Sequence, residues 1–266
     1  MTAATHAATG GVGDVPPPVR ALVTGGTSGV GLALARQLVA TGARVAICGR
    51  DAARLAAASA TLGPRAHAVA CDLSAAADCD ALMDVAVRAL GGVTLLINNA
   101  GVQQALDVRA LDTETLAAQA RRELAINLEA PLRLARLALP HLEAAARAGA
   151  PAAIVNVTSG LALTPKKTAP IYCASKAALR SLTIALRYQL EDAGSAVRVH
   201  EAILPIVDTP MTAGRGRSKL SADAAAAAIL RGVARGVPEI RVGKVRIFMP
   251  LQRALPSVAA RLLRDG

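Results

Sequence analysis

The 266 residues predict a doubly wound α/β fold: a mainly parallel, seven-stranded sheet with helices on both faces. Three observations carry that prediction. From Arg20 onward, short apolar runs alternate with longer amphipathic stretches. Most of the short runs are apolar at nearly every position, as in strands covered on both faces. The first run also ends in clustered glycines that open directly into a helical pattern.

Residues 1–17 are mostly small, lack the basic and apolar regions of a secretory signal, and read as a disordered extension closed by prolines. The first strand is ALVT (21–24), followed by the helical GLALARQLVATG. RVAIC (44–48) leads into DAARLAAASATLG, and HAVAC (67–71) precedes ALMDVAVRALGG. TLLIN (94–98) is followed by a long helical run from Thr113 to Arg147. AAIVNV (152–157), VRVHEAIL (197–204) and EIRVG (239–243) complete the seven. Such alternation implies right-handed βαβ crossovers. With neither repeat nor internal linker, residues 18–266 read as one domain.

The composition narrows the function. The chain is 53% hydrophobic with mean hydropathy +0.41, yet charges or Gly/Pro interrupt every apolar run before it reaches membrane-span length. A net charge of +11 raises nucleic-acid binding, but the arginines are scattered and base-stacking aromatics number two Tyr, one Phe and no Trp. An acidic small molecule or acidic carrier protein fits that charge better. Four cysteines, Cys48, Cys71, Cys79 and Cys173, show no zinc spacing and read as reduced core thiols of a cytoplasmic protein.

The glycine turn is Thr24-Gly25-Gly26-Thr27-Ser28-Gly29-Val30-Gly31. At a strand-to-helix junction, glycines bend the backbone and leave the helix N-terminus bare, so its N–H groups and dipole can hold a pyrophosphate. The end of the second strand then selects the cofactor. Gly49 stands where a ribose-binding carboxylate would, and Arg50 follows with a guanidinium suited to a 2′-phosphate, pointing to NADP(H) over NAD(H). Asp51 keeps NAD open or caps the next helix. Asp72, before Leu73, either accepts from the adenine amino group or is a helix N-cap.

Tyr172 and Lys176 lie about 40° apart on one helix face, within reach of each other. Tyr188, sixteen residues on, faces elsewhere. A phenol near pKa 10 is about three units from neutrality, roughly 4 kcal/mol. An ammonium at about 4 Å and effective dielectric near 20 contributes a similar ~4 kcal/mol, so Lys176 can bring Tyr172 toward neutral pH.

TGGTSGVG (24–31), NNAG (98–101), a Ser thirteen residues before the Tyr, and YCASK (172–176) together resemble the short-chain dehydrogenase/reductase family. The resemblance runs from about Arg20 to Val245 and implies a Rossmann-type fold. SGLALTP, VDT and the segment after Tyr172 also resemble a bacterial branch of mostly uncharacterised oxidoreductases named for proximity to D-alanyl teichoic-acid genes. It implies Tyr172 as acid/base, Lys176 on the nicotinamide ribose, Ser159 on the substrate oxygen and Asn127 anchoring a proton relay. It further implies that Gly25, Thr27, Ser28, Gly29, Val30 and Gly31 hold the phosphates, that Asn99, Ala100 and Gly101 wall the cofactor, and that Thr209 meets the carboxamide. A homodimer or homotetramer follows from the same resemblance.

One departure is plain: Leu204-Pro205-Ile206 lacks the glycine that usually follows that proline. The segment 208–222 reads as a substrate lid, with Gly214 and Gly216 loosening it, Ser221 capping the next helix, and Arg215, Arg217 and Lys219 placed to receive an anion or simply solvated. Leu161, Leu163 and Ile206 are expected to line an aliphatic pocket. FMPLQRALPSVAARLLRDG (248–266) is an amphipathic tail that packs on its own or a neighbouring subunit. The reading is an NADP(H)-dependent oxidoreductase acting on a ketone or secondary alcohol. The alternative is a non-catalytic NADP(H)-binding sensor or scaffold.

Overall fold

Near-continuous apolar strands pair side by side, as expected. The computed structural model describes residues 19–216 and 218–264; the extension 1–17 and Arg217 lie outside them. The strands are β1 (Arg20–Val23), β2 (Arg44–Gly49), β3 (Ala66–Ala70), β4 (Leu95–Asn98), β5 (Ala153–Ser159), β6 (Arg198–Leu204), the short β7 (Val207–Asp208) and β8 (Leu220–Ser221), and β9 (Glu239–Arg241). Seven of them form one sheet in the order β3-β2-β1-β4-β5-β6-β9, and every pair is parallel. β7 and β8 pair with each other as a separate parallel ribbon, which no sequence pattern announces. The strand order reverses between β1 and β4, so the crevice for a ligand opens at their carboxyl ends.

The helices are α1 (Gly29–Ala40), α2 (Ala52–Leu62), α3 (Ala76–Leu90), α4 (Thr113–Leu124), α5 (Ala130–Arg147), α6 (Pro170–Asp192), α7 (Ala222–Ala234), α8 (Val245–Ala254) and α9 (Pro256–Arg264). Alternate strand residues face opposite layers. Val23, Ile47, Ile97 and Val155 pack with Leu34 of α1 and Ile229 of α7. Leu22, Ala46, Leu96 and Ile154 pack instead with Leu82 of α3 and Leu134 and Leu142 of α5. β3, at the sheet edge, is only half-buried. Small residues let the helices approach closely: a side chain at Gly232 of α7 would stand 2.6 Å from Ile240 of β9. Asp51, Asp112 and Ser221 accept from backbone N–H groups as N-caps of α2, α4 and α7.

The long run from Thr113 to Arg147 is helical throughout, but a π-helical turn at Ala125–Glu129 separates α4 from α5. The tail forms α8 and α9 and packs on its own chain: Val245 and Met249 join Ile203, Ala259 is fully buried, and the Arg264 carbonyl accepts from the Lys167 N–H at 3.0 Å. Among the described residues no helix is long and apolar enough to cross a membrane. The four cysteines are buried and free.

α6 is fastened to the sheet by charge. Arg180 pairs with Glu201 of β6 and, at 2.7 Å, with Glu239 of β9, while Thr158 donates to Glu201 at 2.6 Å. Glu201 is 2% exposed, and burial holds its carboxyl above the usual value. Removing one partner of such a buried pair strands the other. Arg180→Ala is expected to destabilise the fold by about 3–5 kcal/mol in urea titration, and a loss below about 1 kcal/mol would show that the cluster is not a clamp.

Candidate active site

The glycine turn after β1 is sewn to the turn after β4. The Thr24 hydroxyl accepts from the N–H groups of Asn99 and Ala100, both at 3.0 Å, and Asn99 Nδ2 donates to the Thr24 carbonyl at 2.9 Å. Gly25 has φ +65°, which disfavours a side chain. A Cβ on Gly31 would collide with the Gly25 carbonyl, so this glycine permits the close packing of the turn on its own helix. Ser28 precedes α1 without capping it by its side chain, and the first turn holds no acid. The bare N–H groups and dipole therefore favour an anion.

A cleft of about 660 Å³ runs along the carboxyl ends of the strands. Gly25, Thr27, Ser28, Gly29 and Val30 line one end, with Arg50, Asp72 and Leu73 nearby. Asn99, Ala100 and Gly101 form a wall, and Ser159, Tyr172, Lys176 and Thr209 line the rest. Of the catalytic and cofactor-binding residues predicted from sequence, only Gly31 and Asn127 stand behind its surface. Thr209 abuts the glycine turn, where a Cβ on Gly29 would be 2.9 Å from its methyl.

The ends of β2 and β3 are equally defined. A Cβ at Gly49 would stand 2.7 Å from the Thr27 methyl, so a side chain at the end of β2 would have to displace that of Thr27. Arg50 is half-exposed and lies 3.8 Å from Asp72 Oδ2. Asp51 caps α2, its Oδ1 accepting from the Arg54 N–H at 2.9 Å. Asp72 does not cap α3; its Oδ1 accepts from the Ser74 N–H at 3.0 Å and hydroxyl at 2.7 Å.

At the other end, the first turns of α6 carry Tyr172 and Lys176. The Lys176 ammonium lies 5.9 Å from the centre of the tyrosine ring and donates to the Val157 carbonyl at 2.9 Å. Tyr188 is exposed on the protein surface, whereas Tyr172 opens on the cleft. Asn127 occupies the π-helical turn, fully buried. It accepts from the Val102 N–H at 2.9 Å, donates to the Val102 carbonyl at 2.9 Å and to the Ser175 hydroxyl at 3.0 Å. A Cβ on Gly101 would sit 3.3 Å from Asn127 Oδ1 and 3.4 Å from Lys176 Nζ, so that glycine leaves the space the two side chains share.

A family model of the short chain dehydrogenases matches residues 20–219. The chain belongs to the short-chain dehydrogenase family. Within that family, the uncharacterised oxidoreductase DltE of Bacillus subtilis is 43% identical over 188 residues, 71% of each chain. A short-chain dehydrogenase/reductase from Burkholderia phymatum, solved with NAD, superposes with TM-score 0.78 at 25% identity over 92% of this chain and 95% of that one. A short-chain dehydrogenase from Sphingobium yanoikuyae, solved with NADPH, does so with TM-score 0.73 at 26% identity over 90% and 94%.

This member of the family departs from expectation in two places. Tyr172 is not drawn toward neutrality in the free chain: desolvation pushes its phenol up to about 12, and the nearby Ser159 hydroxyl offsets only part of that. Lys176 is itself desolvated, lowered to about 8, and spends a hydrogen bond on Val157. Nor do Leu161, Leu163 and Ile206 line the cleft. Leu163 packs on Ile203, Val245 and Met249, and Ile206 fills the place of a Gly216 side chain.

Polar residues missed in the sequence stand near Tyr172. Glu123 is fully buried on α4, accepts from the Gln104 N–H and leaves Oε2 without a partner. Burial holds its carboxyl above the usual value. Its position four residues before Asn127 was the available signal, since that spacing shares a helix face.

Lys176 gives a pH test. Its value falls from 10.5 in the unfolded chain to about 8 in the fold, so between these the unfolded chain binds the extra proton and stability rises with pH. Wild type is expected to gain roughly 3 kcal/mol relative to Lys176→Met across that window. Thermal melts from pH 7.5 to 10 would check this; parallel curves for the two proteins would refute it.

Proposed function

We propose that this oxidoreductase is NADP(H)-dependent and moves a hydride between the nicotinamide and a ketone or secondary alcohol, with Tyr172 as acid/base. The observation that carries this reading is one cleft with an uncapped helix N-terminus at one end and Ser159, Tyr172 and Lys176 at the other.

The residues present fit such a cofactor: glycines leave a cradle that side chains would fill, and the bare start of α1 favours its phosphates. In this reading Gly25, Thr27, Ser28, Gly29 and Val30 hold the pyrophosphate, with Gly31 supporting the turn. Arg50 takes the 2′-phosphate, Asp72 and Leu73 border the adenine, Asn99, Ala100 and Gly101 wall the cleft, and Thr209 meets the carboxamide. The dinucleotide supplies or accepts the hydride when bound. NADPH in the Sphingobium relative and NAD in the Burkholderia one leave the preference to local residues. Gly49 and Arg50 favour NADP(H).

Tyr172 holds its proton throughout the neutral range, which suits delivery to a carbonyl oxygen as that oxygen gains charge. Ser159, which lines the cleft with the phenol, holds the same oxygen and stabilises the developing alkoxide. Lys176 binds the nicotinamide ribose. Its cation also favours phenolate once the phenol has given up its proton. Asn127, meeting Lys176 above Gly101, anchors the path by which the proton is replaced.

Residues 208–222 act as the substrate lid in one domain spanning 18–266, with the β7–β8 ribbon as its base. Self-association as a dimer or tetramer uses α5 and α6, whose Leu132 and Tyr188 are large exposed apolar residues. The protein works in the cytoplasm.

Tyr172→Phe is expected to lower carbonyl reduction by roughly 10²–10⁴-fold while NADPH still binds. Assay of both proteins over a panel of ketones, quinones and acyl-thioesters decides it, and undiminished turnover in the variant would remove Tyr172 from its role. Arg50→Asp is expected to weaken NADPH by about tenfold or more relative to NADH. Fluorescence titration with both nucleotides reads that ratio, and an unchanged value counts against Arg50.

A further inference from the structure

We infer that the substrate carries an anionic group, a carboxylate or a phosphate, received by Lys166, Arg215 and the Gln103 amide beside Tyr172; this rests on the proposed function. Lys166 lies in the loop before α6. Its carbonyl accepts from the Ala169 N–H at 3.4 Å and the Cys173 thiol at 4.0 Å, folding that loop onto the first turn of the tyrosine helix. The residue is 8% exposed, and among the described residues its ammonium has neither a hydrogen-bond acceptor nor an ion-pair partner.

Arg215 comes from the opposite side, out of the lid. It donates to the Met211 carbonyl and, at 2.6 Å, to Gln103 Oε1. A guanidinium only donates, so it fixes which end of the amide it meets. The other end, Gln103 Nε2, is buried without a partner. The Leu106 N–H donates to the Thr168 carbonyl at 3.1 Å, which brings the segment of Gln103 against the loop that carries Lys166 and leads into Tyr172. Burial and Arg215 both hold the Lys166 ammonium below its usual value, opposed only by the Cys173 thiol.

The balance of groups is one-sided. An ammonium, a guanidinium and an amide NH₂ converge, all donors and two of them charged. Glu123, buried on α4, spends one oxygen on the Gln104 N–H. Lys219 is engaged with the Thr212 carbonyl at 2.7 Å and Asp208 at 3.3 Å. The Gln103 amide NH₂ is buried without an acceptor, which is costly, and an anionic ligand group supplies that acceptor while meeting the two cations. The substrate class is thus an oxo or hydroxy acid, or a phosphorylated ketone or alcohol.

The test is calorimetric titration of the chain saturated with NADPH, which keeps phosphate out of the cofactor's own site. Butyrate and 3-oxobutyrate form the carboxylate arm, and inorganic phosphate and glycerol 2-phosphate the phosphate arm. Butyramide and glycerol are the neutral counterparts. One arm is expected to bind, its neutral counterpart not, with affinity at least tenfold weaker in Lys166→Met and in Arg215→Ala. Lys244→Met, which removes an exposed charge, should leave it unchanged. No anion binding, or binding that Lys166→Met and Lys244→Met weaken equally, overturns the inference as an adventitious ion only. Both outcomes leave the proposed function standing when NADPH binds; failure to bind NADPH overturns that function and the inference with it.

Discussion

Everything at the Tyr172 end of the cleft depends on the rotation of α6 about its own axis. A polar stripe runs down the face of this helix that meets the sheet. Lys176 donates to the Val157 carbonyl on β5, and Arg180 pairs with Glu201 on β6 and Glu239 on β9. Thr183 accepts from Asn156 at 2.9 Å, and Arg187 donates to the Val199 carbonyl at 3.1 Å. Leucines alone could slide against a sheet of similar side chains at small cost. Directional bonds to three strands cannot, because each weakens steeply when its angle changes. Tyr172 inherits its place in the cleft from this fastening.

The nucleotide end is organised by the opposite means, through the absence of side chains. Gly31 lets the turn fold onto α1, Gly49 lets Thr27 approach the end of β2, and Gly101 leaves the volume shared by Asn127 and Lys176. Thr24 and Asn99 then tie the two turns where the strand order reverses. Asn98 continues the linkage inward, donating to Asn156 at 2.8 Å, and Asn156 donates in turn to Thr183 of α6. A chain of buried amides and hydroxyls thus joins the cofactor cradle to the tyrosine helix.

What could be read in the sequence divides along physical lines. The seven strands were legible because a parallel strand buried on both faces is apolar nearly throughout, and Ile97 or Val155 has no other place to go. The glycine turn, Asp51 as a cap and Ser221 as a cap were legible because each is a local device. The β7–β8 ribbon was not, since two residues per strand leave no period to detect. Nor was the π-helical turn, where Asn127 binds Val102, a segment far away along the chain. Leu163 was expected in the pocket because it is apolar and close to Ser159, yet the tail brings Val245 and Met249 to cover it. No sequence pattern sets Lys166 apart, and only the folded loop shows it to be 8% exposed. The mutual tuning of Tyr172 and Lys176 was argued from distance alone, without the cost of removing both from water.

The bond between the Arg264 carbonyl and the Lys167 amide joins the far end of the chain to the loop that introduces Tyr172. α8 and α9 present Ile247, Leu255 and Leu262 to the outside while anchoring inward through Met249 and Ala259. The tail is therefore a brace as well as a cover: its last described turn holds the peptide next to Lys166 from outside the sheet.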